Sequence, residues 1–95
     1  MTVSAYVPDL MDRSKVQAAY ADAAFARTAA ALRDAELVLV DLGRSDVLDA
    51  IAGLQGRVVG FASHVDTDLL ERAQQAGVEA LPRSVFFRRL TDRSL

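Results

Sequence analysis

Polar residues that could do chemistry follow the ends of several short apolar segments of the sequence. Asp9 comes shortly after the first segment, Asp41 closes the run LVLV, Ser63 and His64 follow VVGFA, and Arg83 follows the last segment. If these segments are parallel strands, their carboxyl ends meet at one edge, where open α/β sheets place ligands and reacting groups. The sequence therefore predicts one candidate site that gathers these side chains.

The strands that must position these residues are indicated by apolar runs. The run Leu37–Val40 has no polar face and predicts a strand buried on both sides, as in the middle of a parallel sheet. Arg57–Ala62 has the same character, and Gly60 within it indicates close approach of another element. Thr2–Val7 alternates in polarity, and Val78–Leu81, which ends before Pro82, completes the set.

Helix signals lie between these strands. We expect Ser14 to cap a helix that begins at Lys15, and Ser45 to cap another that ends near Gln55 and Gly56. Asp66 should cap a third helix that stops at Gly77, and Ser84 should cap the last one. Alternating strands and helices predict an α/β fold with a parallel sheet and helices on both faces.

The alanine-rich segment Asp12–Ala35 allows two interpretations. Helix propensity alone favours one long helix. In the alternative, Ala23–Arg27, around Phe25, is a short strand between two short helices, with Thr28 capping Ala29–Arg33. The sequence leaves both open, so the sheet has four or five strands and its second strand is short or absent.

Composition narrows the classes of function. The 95 residues predict one domain, residues 1–95, and the net charge of −2 does not suggest nucleic acid or an anionic membrane as a partner. The absence of cysteine excludes disulfides, thiolate catalysis and cysteine-bound metals. No segment has the form of a signal peptide or the length of a membrane span, so we expect a cytoplasmic protein.

The order of these motifs resembles the receiver domain of bacterial response regulators. The similarity covers nearly the whole chain but is specific only in its second half, in LVLVDL, VVGFAS and AGVEALPRSVF. It is shared with small receiver-like proteins whose fourth strand ends in serine and histidine. The resemblance implies a flavodoxin-like, doubly wound sheet and a role in two-component signalling.

The resemblance also implies roles for the residues at the strand ends. Asp41 matches the phospho-accepting aspartate, Ser63 and Arg83 match the residues that contact the phosphoryl group, and Asp9 with Asp41 would bind magnesium. Pro8, however, stands where the family has the first acid of its metal-binding pair. Arg83 replaces a lysine, and a planar guanidinium is not equivalent to an ammonium at a tight site.

These departures favour a degenerate receiver, or pseudo-receiver, that acts as a non-catalytic signalling or interaction module. In that interpretation Asp41 only caps a turn or pairs with Arg83, and no cofactor is needed. Asp9 and Asp12 together offer a replacement for the missing acidic pair, with Asp12 reaching back from the first turn of the helix, but acids at such positions more often cap a helix. The alternative is a working phospho-acceptor that uses Asp41 and magnesium. A small hydrolase using His64 is a third hypothesis, supported only by the position of that histidine.

The last helix is the predicted interaction surface. Phe86 and Phe87 are consecutive, so they lie about 100° apart on a helix and one of them can remain exposed. Arg88 adjoins them, within a basic cluster that also contains Arg83, Arg89 and Arg93. In receivers this helix helps form a dimer or output surface, so the resemblance implies a protein partner or a homodimer here.

Overall fold

The protein folds as a five-stranded, all-parallel sheet with helices on both faces. A computed structural model describes all 95 residues, and the strand order is β2-β1-β3-β4-β5. The strands are β1 (Val3–Tyr6), β2 (Ala24–Phe25), β3 (Leu37–Asp41), β4 (Arg57–Ala62) and β5 (Glu79–Pro82). The helices are α1 (Leu10–Ala19), a 3-10 helix (Ala29–Ala31), α2 (Val47–Ile51), α3 (Thr67–Gln75) and α4 (Arg83–Thr91). The predicted α/β class, with its doubly wound, flavodoxin-like sheet, is confirmed.

Side chains of the central strand β3 belong to two separate hydrophobic clusters, one on each face of the sheet. Leu37 and Leu39 pack on one face with residues of α1 and α4, whereas Val38 and Val40 pack on the other with the 3-10 helix, α2 and α3. All four side chains are at most 2% exposed. The strand is therefore buried on both sides, as its unbroken apolar pattern predicts.

The alanine-rich segment contains a strand and is not one long helix. Ala24 and Phe25 pair with Ser4 and Ala5 of β1, and the 3-10 helix follows Thr28. The amide of Ala26 adds a hydrogen bond to the carbonyl of Ala5, 2.8 Å away. Pairing with β1 has thus overridden helix propensity over these residues.

Several helix starts differ from the predicted ones. Helix α1 begins at Leu10, not Lys15, because the Asp9 carboxylate accepts a hydrogen bond from the Asp12 amide at 3.0 Å. Helix α2 begins after Asp46, one residue beyond Ser45, and ends at Ile51, before Gln55.

The last helix also starts early, while the third is as predicted. Helix α4 follows Pro82 directly, so Ser84 lies within its first turn. Asp66 caps α3 as expected, through a 3.4 Å hydrogen bond from the Leu69 amide, and Gly77 beyond the end of α3 has a φ of +88°.

Gly60 lets β4 and the end of β3 pack closely, as its place in an apolar strand suggested. A Cβ atom at this position would lie 2.7 Å from Cγ of Leu42. Leu42 itself is 2% exposed and follows Asp41 directly. The missing side chain of Gly60 thus leaves room for Leu42, the first residue after β3.

The carboxylate of Asp34 links two segments at the edge of the sheet where the strands begin. Asp34 accepts hydrogen bonds from the amides of Gln55 and Gly56, at 2.8 and 2.9 Å, and also from that of Ala35. These bonds join the segment before β3 to the segment before β4. The two strands consequently enter the sheet in fixed register.

No helix of the structure combines the length and apolar character needed to cross a membrane.

Candidate functional site

The carboxyl ends of the strands place the predicted site residues along one edge of the sheet. Asp41 closes β3 opposite Phe61, and Ser63 and Arg83 each follow the last paired positions of β4 and β5. Asp9 lies at the start of α1, beyond the end of β1. The residues share one edge of the sheet as predicted, but the ion pairs among them differ from those that the sequence suggested.

Arg83 is bound to Asp12 and not to Asp41. Its two terminal nitrogens donate to the two carboxylate oxygens of Asp12, at 2.8 and 2.6 Å. This bidentate ion pair joins the first turn of α1 to the first turn of α4, which are separated by 71 positions along the chain. Such paired hydrogen bonds fix orientation as well as charge.

The two partners of this ion pair differ in burial. The Asp12 side chain is 5% exposed and that of Arg83 is 46% exposed. The hydrogen bonds from Arg83 lower the pKa of Asp12 although burial opposes the shift, and those same bonds raise the pKa of Arg83. The charges of Asp41 and Asp9 raise the pKa of Arg83 further, so both acids lie in its electrostatic neighbourhood.

Aromatic rings hold the guanidinium of Arg83 in place. Its Cζ atom lies 5.3 Å from the ring centroid of Phe61 and 5.0 Å from that of Phe87. Cation–π contacts of this kind favour a planar guanidinium over a lysine ammonium. The arginine at this position is therefore fitted to its aromatic surroundings as well as to Asp12.

Asp41 caps the turn that follows it. Its carboxylate accepts a hydrogen bond from the Gly43 amide at 3.0 Å and one from Nε of Arg44 at 3.4 Å. The Asp41 side chain is 14% exposed, while Arg44 is 45% exposed. The capping role considered for this residue is present, and the cation that pairs with it is Arg44, not Arg83.

The remaining predicted residues are exposed around this edge. Asp9 caps α1, Ser63 accepts a 3.4 Å hydrogen bond from the Val65 amide, and His64 lies on the loop beyond β4. No group of three or more histidine, aspartate or glutamate side chains is placed to hold a metal ion. Asp9 and Asp41, the predicted magnesium ligands, belong to no such group.

The largest surface depression lies beside this edge and excludes its central residues. It has a volume of about 460 Å³ and lies between the loop after β3 and helix α3, with Arg44, Asp46, Asp49 and Arg72 among its charged residues. Asp9, Asp41, Ser63 and Arg83 do not line it. The mixture of charges in this depression favours neither an anionic nor a cationic ligand.

The arginines of the predicted basic cluster have different surroundings in the structure. Arg83 belongs to the strand edge, Arg88 is exposed, and Arg89 donates to the carbonyl of Ser94 at 3.1 and 2.8 Å. Phe86, predicted as an interface residue, is 0% exposed and packs in the core 4.6 Å from the ring of Phe61. Phe87 is half-buried, so it and Arg88 are the predicted interface residues that reach the surface.

Asp12 is the site residue whose role the sequence did not reveal. Its position three residues after Asp9 predicted an acid in the first turn of a helix, which is where it lies. Its ion pair with Arg83 depends on how α1 and α4 lie together, and no local pattern encodes a contact over that separation. The only signal in the sequence was an acid close to the start of a predicted helix.

Comparison with protein-family models, with curated proteins and with solved structures returned no match for this chain.

Proposed function

We propose that this chain is a cytoplasmic, receiver-like interaction module that works without efficient phosphorylation of Asp41. The observation that carries the proposal is the bidentate bond between Arg83 and Asp12. A basic side chain that neutralises a phosphoryl group must be free to face it during the transfer. Here that side chain is held by a buried carboxylate and by two aromatic rings.

The surroundings of Asp41 support the same proposal. An attacking carboxylate oxygen needs a free lone pair and a cation that offsets the charge on the incoming phosphate. Each oxygen of Asp41 keeps a free lone pair, but the cation bound to Asp41 is Arg44 on the adjacent turn, because Arg83 is held by Asp12. Pro8 supplies no carboxylate beside Asp9, so magnesium has fewer ligands than the receiver resemblance would require.

The alternative function is a phospho-acceptor that uses Asp41. It is favoured by the position of Asp41 at the end of the central strand and by the electrostatic proximity of Arg83. In this alternative Arg83 must exchange Asp12 for the phosphoryl oxygens. That exchange leaves a buried carboxylate without its partner, which is energetically unfavourable.

A phosphoryl-analogue titration separates these two functions. Amide NMR spectra are recorded with magnesium and then with beryllofluoride or acetyl phosphate, for the native chain, for Asp41→Asn and for Asp46→Asn as a matched exposed acid. We expect no saturable shifts at Asp9, Asp41 and Ser63 in any of the three proteins. Saturable shifts that disappear only in Asp41→Asn would overturn the proposal and establish the phospho-acceptor.

A further inference from the structure

A groove separates the last turns of α1 and α4, away from the carboxyl edge of the sheet. It has a volume of about 220 Å³ and is lined by Lys15, Ala18, Ala19, Leu90, Thr91 and Arg93. Its floor is made of small and aliphatic side chains, and its only charged lining residues are the two cations. No acid of the chain lines this groove.

The two cations of the groove have no carboxylate partner within the chain. Neither Lys15 nor Arg93 belongs to one of the four ion pairs of the structure. The ammonium of Lys15 lies 5.1 Å from the ring centroid of Phe87, which holds it beside α4. The groove is therefore positively charged although the chain as a whole carries a net charge of −2.

Arg93 has a backbone conformation that is unusual for a residue other than glycine. It has a φ of +56°, in the left-handed region that favours glycine. The amides of Arg93 and Ser94 close the end of α4 by bonding the carbonyls of Leu90 and Arg89, at 3.2 and 2.8 Å. Glycine is the usual residue at this position of such a motif, so an arginine here adds a cation at a cost in backbone energy.

The shape and polarity of the groove indicate which ligand it fits. A volume of about 220 Å³ is below the range of about 300 Å³ and above that is typical of pockets for drug-sized molecules. The last turns of two helices also carry partial negative charge, which opposes the binding of a bare anion. A ligand must therefore bring an apolar side chain for the floor together with carboxylates for Lys15 and Arg93.

We propose that this groove binds an acidic segment of a partner protein, with one large apolar side chain seated between α1 and α4 and flanking carboxylates on Lys15 and Arg93. The inference rests on the proposed function as an interaction module, and it names the partner's chemistry and the surface it contacts. The two unpaired cations and the apolar lining select a segment that carries both carboxylates and an apolar side chain over a ligand that lacks either one.

Three synthetic peptides test the proposal. In the first, one leucine is flanked on both sides by glutamates; in the second, glycine replaces the leucine; in the third, lysines replace the glutamates. Binding is followed by fluorescence anisotropy and by amide NMR shifts. We expect saturable shifts at Lys15, Ala18, Leu90 and Arg93 with the first peptide, about tenfold weaker binding of the second because the buried leucine is lost, and no binding of the third.

Variants of the two cations give the decisive comparison. Lys15→Gln and Arg93→Gly should each weaken binding of the leucine–glutamate peptide by about three- to tenfold, as expected when one partner of a half-exposed charge pair is removed. Glycine suits the left-handed conformation at position 93, so this variant removes the cation and keeps the turn. Arg33→Gln, which removes an exposed cation from the opposite face, should bind like the native chain.

Several results would overturn the inference. Absence of saturable shifts at the groove, equal binding of the glycine peptide, native affinity in both cation variants, or the same shifts with inorganic phosphate alone would each contradict an acidic protein segment as the ligand. Shifts at Asp41 with a phosphoryl analogue would overturn the proposed function without affecting the peptide result. The two failures are thus distinguishable.

Discussion

The guanidinium of Arg83 donates two hydrogen bonds to Asp12 and lies against two aromatic rings. Two of these contacts tie the start of α4 to other elements, since Asp12 belongs to α1 and Phe61 to β4, whereas Phe87 lies on α4 itself. A residue that the receiver resemblance would place in a phosphoryl site therefore contributes to the packing of one whole face of the sheet. Its contribution to the free energy of unfolding can be measured directly.

Removal of Arg83 leaves the buried carboxylate of Asp12 without a partner. We expect Arg83→Ala to lower the free energy of unfolding by about 2 kcal/mol, the range of hydrogen bonds to charged groups, since the arginine is half exposed to solvent. In a double-mutant cycle with Asp12→Ala, measured by urea unfolding, the coupling should exceed about 1 kcal/mol.

The exposed pair of Arg72 and Asp68 on α3 provides the matched control for this cycle. Their side chains are 59% and 86% exposed, so the same cycle there should give less than about 0.5 kcal/mol. Equal coupling energies for the two pairs would show that the burial of Asp12 adds nothing to the ion pair.

The strands could be predicted more fully than the helices. The unbroken apolar runs of β3 and β4 located both strands, and Arg57–Ala62 matches β4 at both ends. Helix starts were less accurate because serine and aspartate both cap helices: Asp9 and Asp46, not Ser14 and Ser45, precede α1 and α2. Among the site residues, the common edge was predictable, whereas the Asp12–Arg83 pair arises only when α1 packs on α4.

Close packing between β4 and the end of β3 makes Gly60 sensitive to substitution. Gly60→Ala should lower the free energy of unfolding by roughly 1–3 kcal/mol, because its Cβ would overlap Leu42, which is buried and has little room to move. Thermal and urea unfolding measure the change.

Gly53→Ala is the companion variant for this test. A Cβ atom at Gly53 would meet no atom beyond its chain neighbours within 4 Å, so alanine there should leave stability unchanged or raise it by up to about 1 kcal/mol. If Gly60→Ala were as stable as the native chain, Leu42 would have to reposition freely, contrary to the packing observed.

The whole molecule should lose stability in acid through a few specific carboxylates. The pKa values of Asp12, Asp34 and Glu79 are lowered in the folded state, chiefly by hydrogen bonds from Arg83, from the Gln55 and Gly56 amides, and from Arg57 respectively. A lowered pKa stabilises the fold above the unfolded values, about 3.9 for aspartate and 4.3 for glutamate. That stabilisation is lost as the pH falls through the folded pKa values.

Urea midpoints at pH 7, 5 and 3 test this dependence. We expect these groups to change the urea midpoint little between pH 7 and 5, and we expect the midpoint to be markedly lower at pH 3. The Asp12→Asn variant should be less stable than the native chain at pH 7 but should lose less stability between pH 5 and 3, because one titrating carboxylate is gone. Equal losses in the two proteins would exclude Asp12 as a contributor.

The two outer strands of the sheet bear on how the protein behaves at high concentration. On one side β2 has only two residues, and on the other β5 begins at the charged Glu79 and ends at Pro82, which has no N–H group. Short, charged or proline-bearing edges offer few backbone groups to a neighbouring chain. Sheet-to-sheet extension into aggregates is therefore disfavoured on both sides of the sheet.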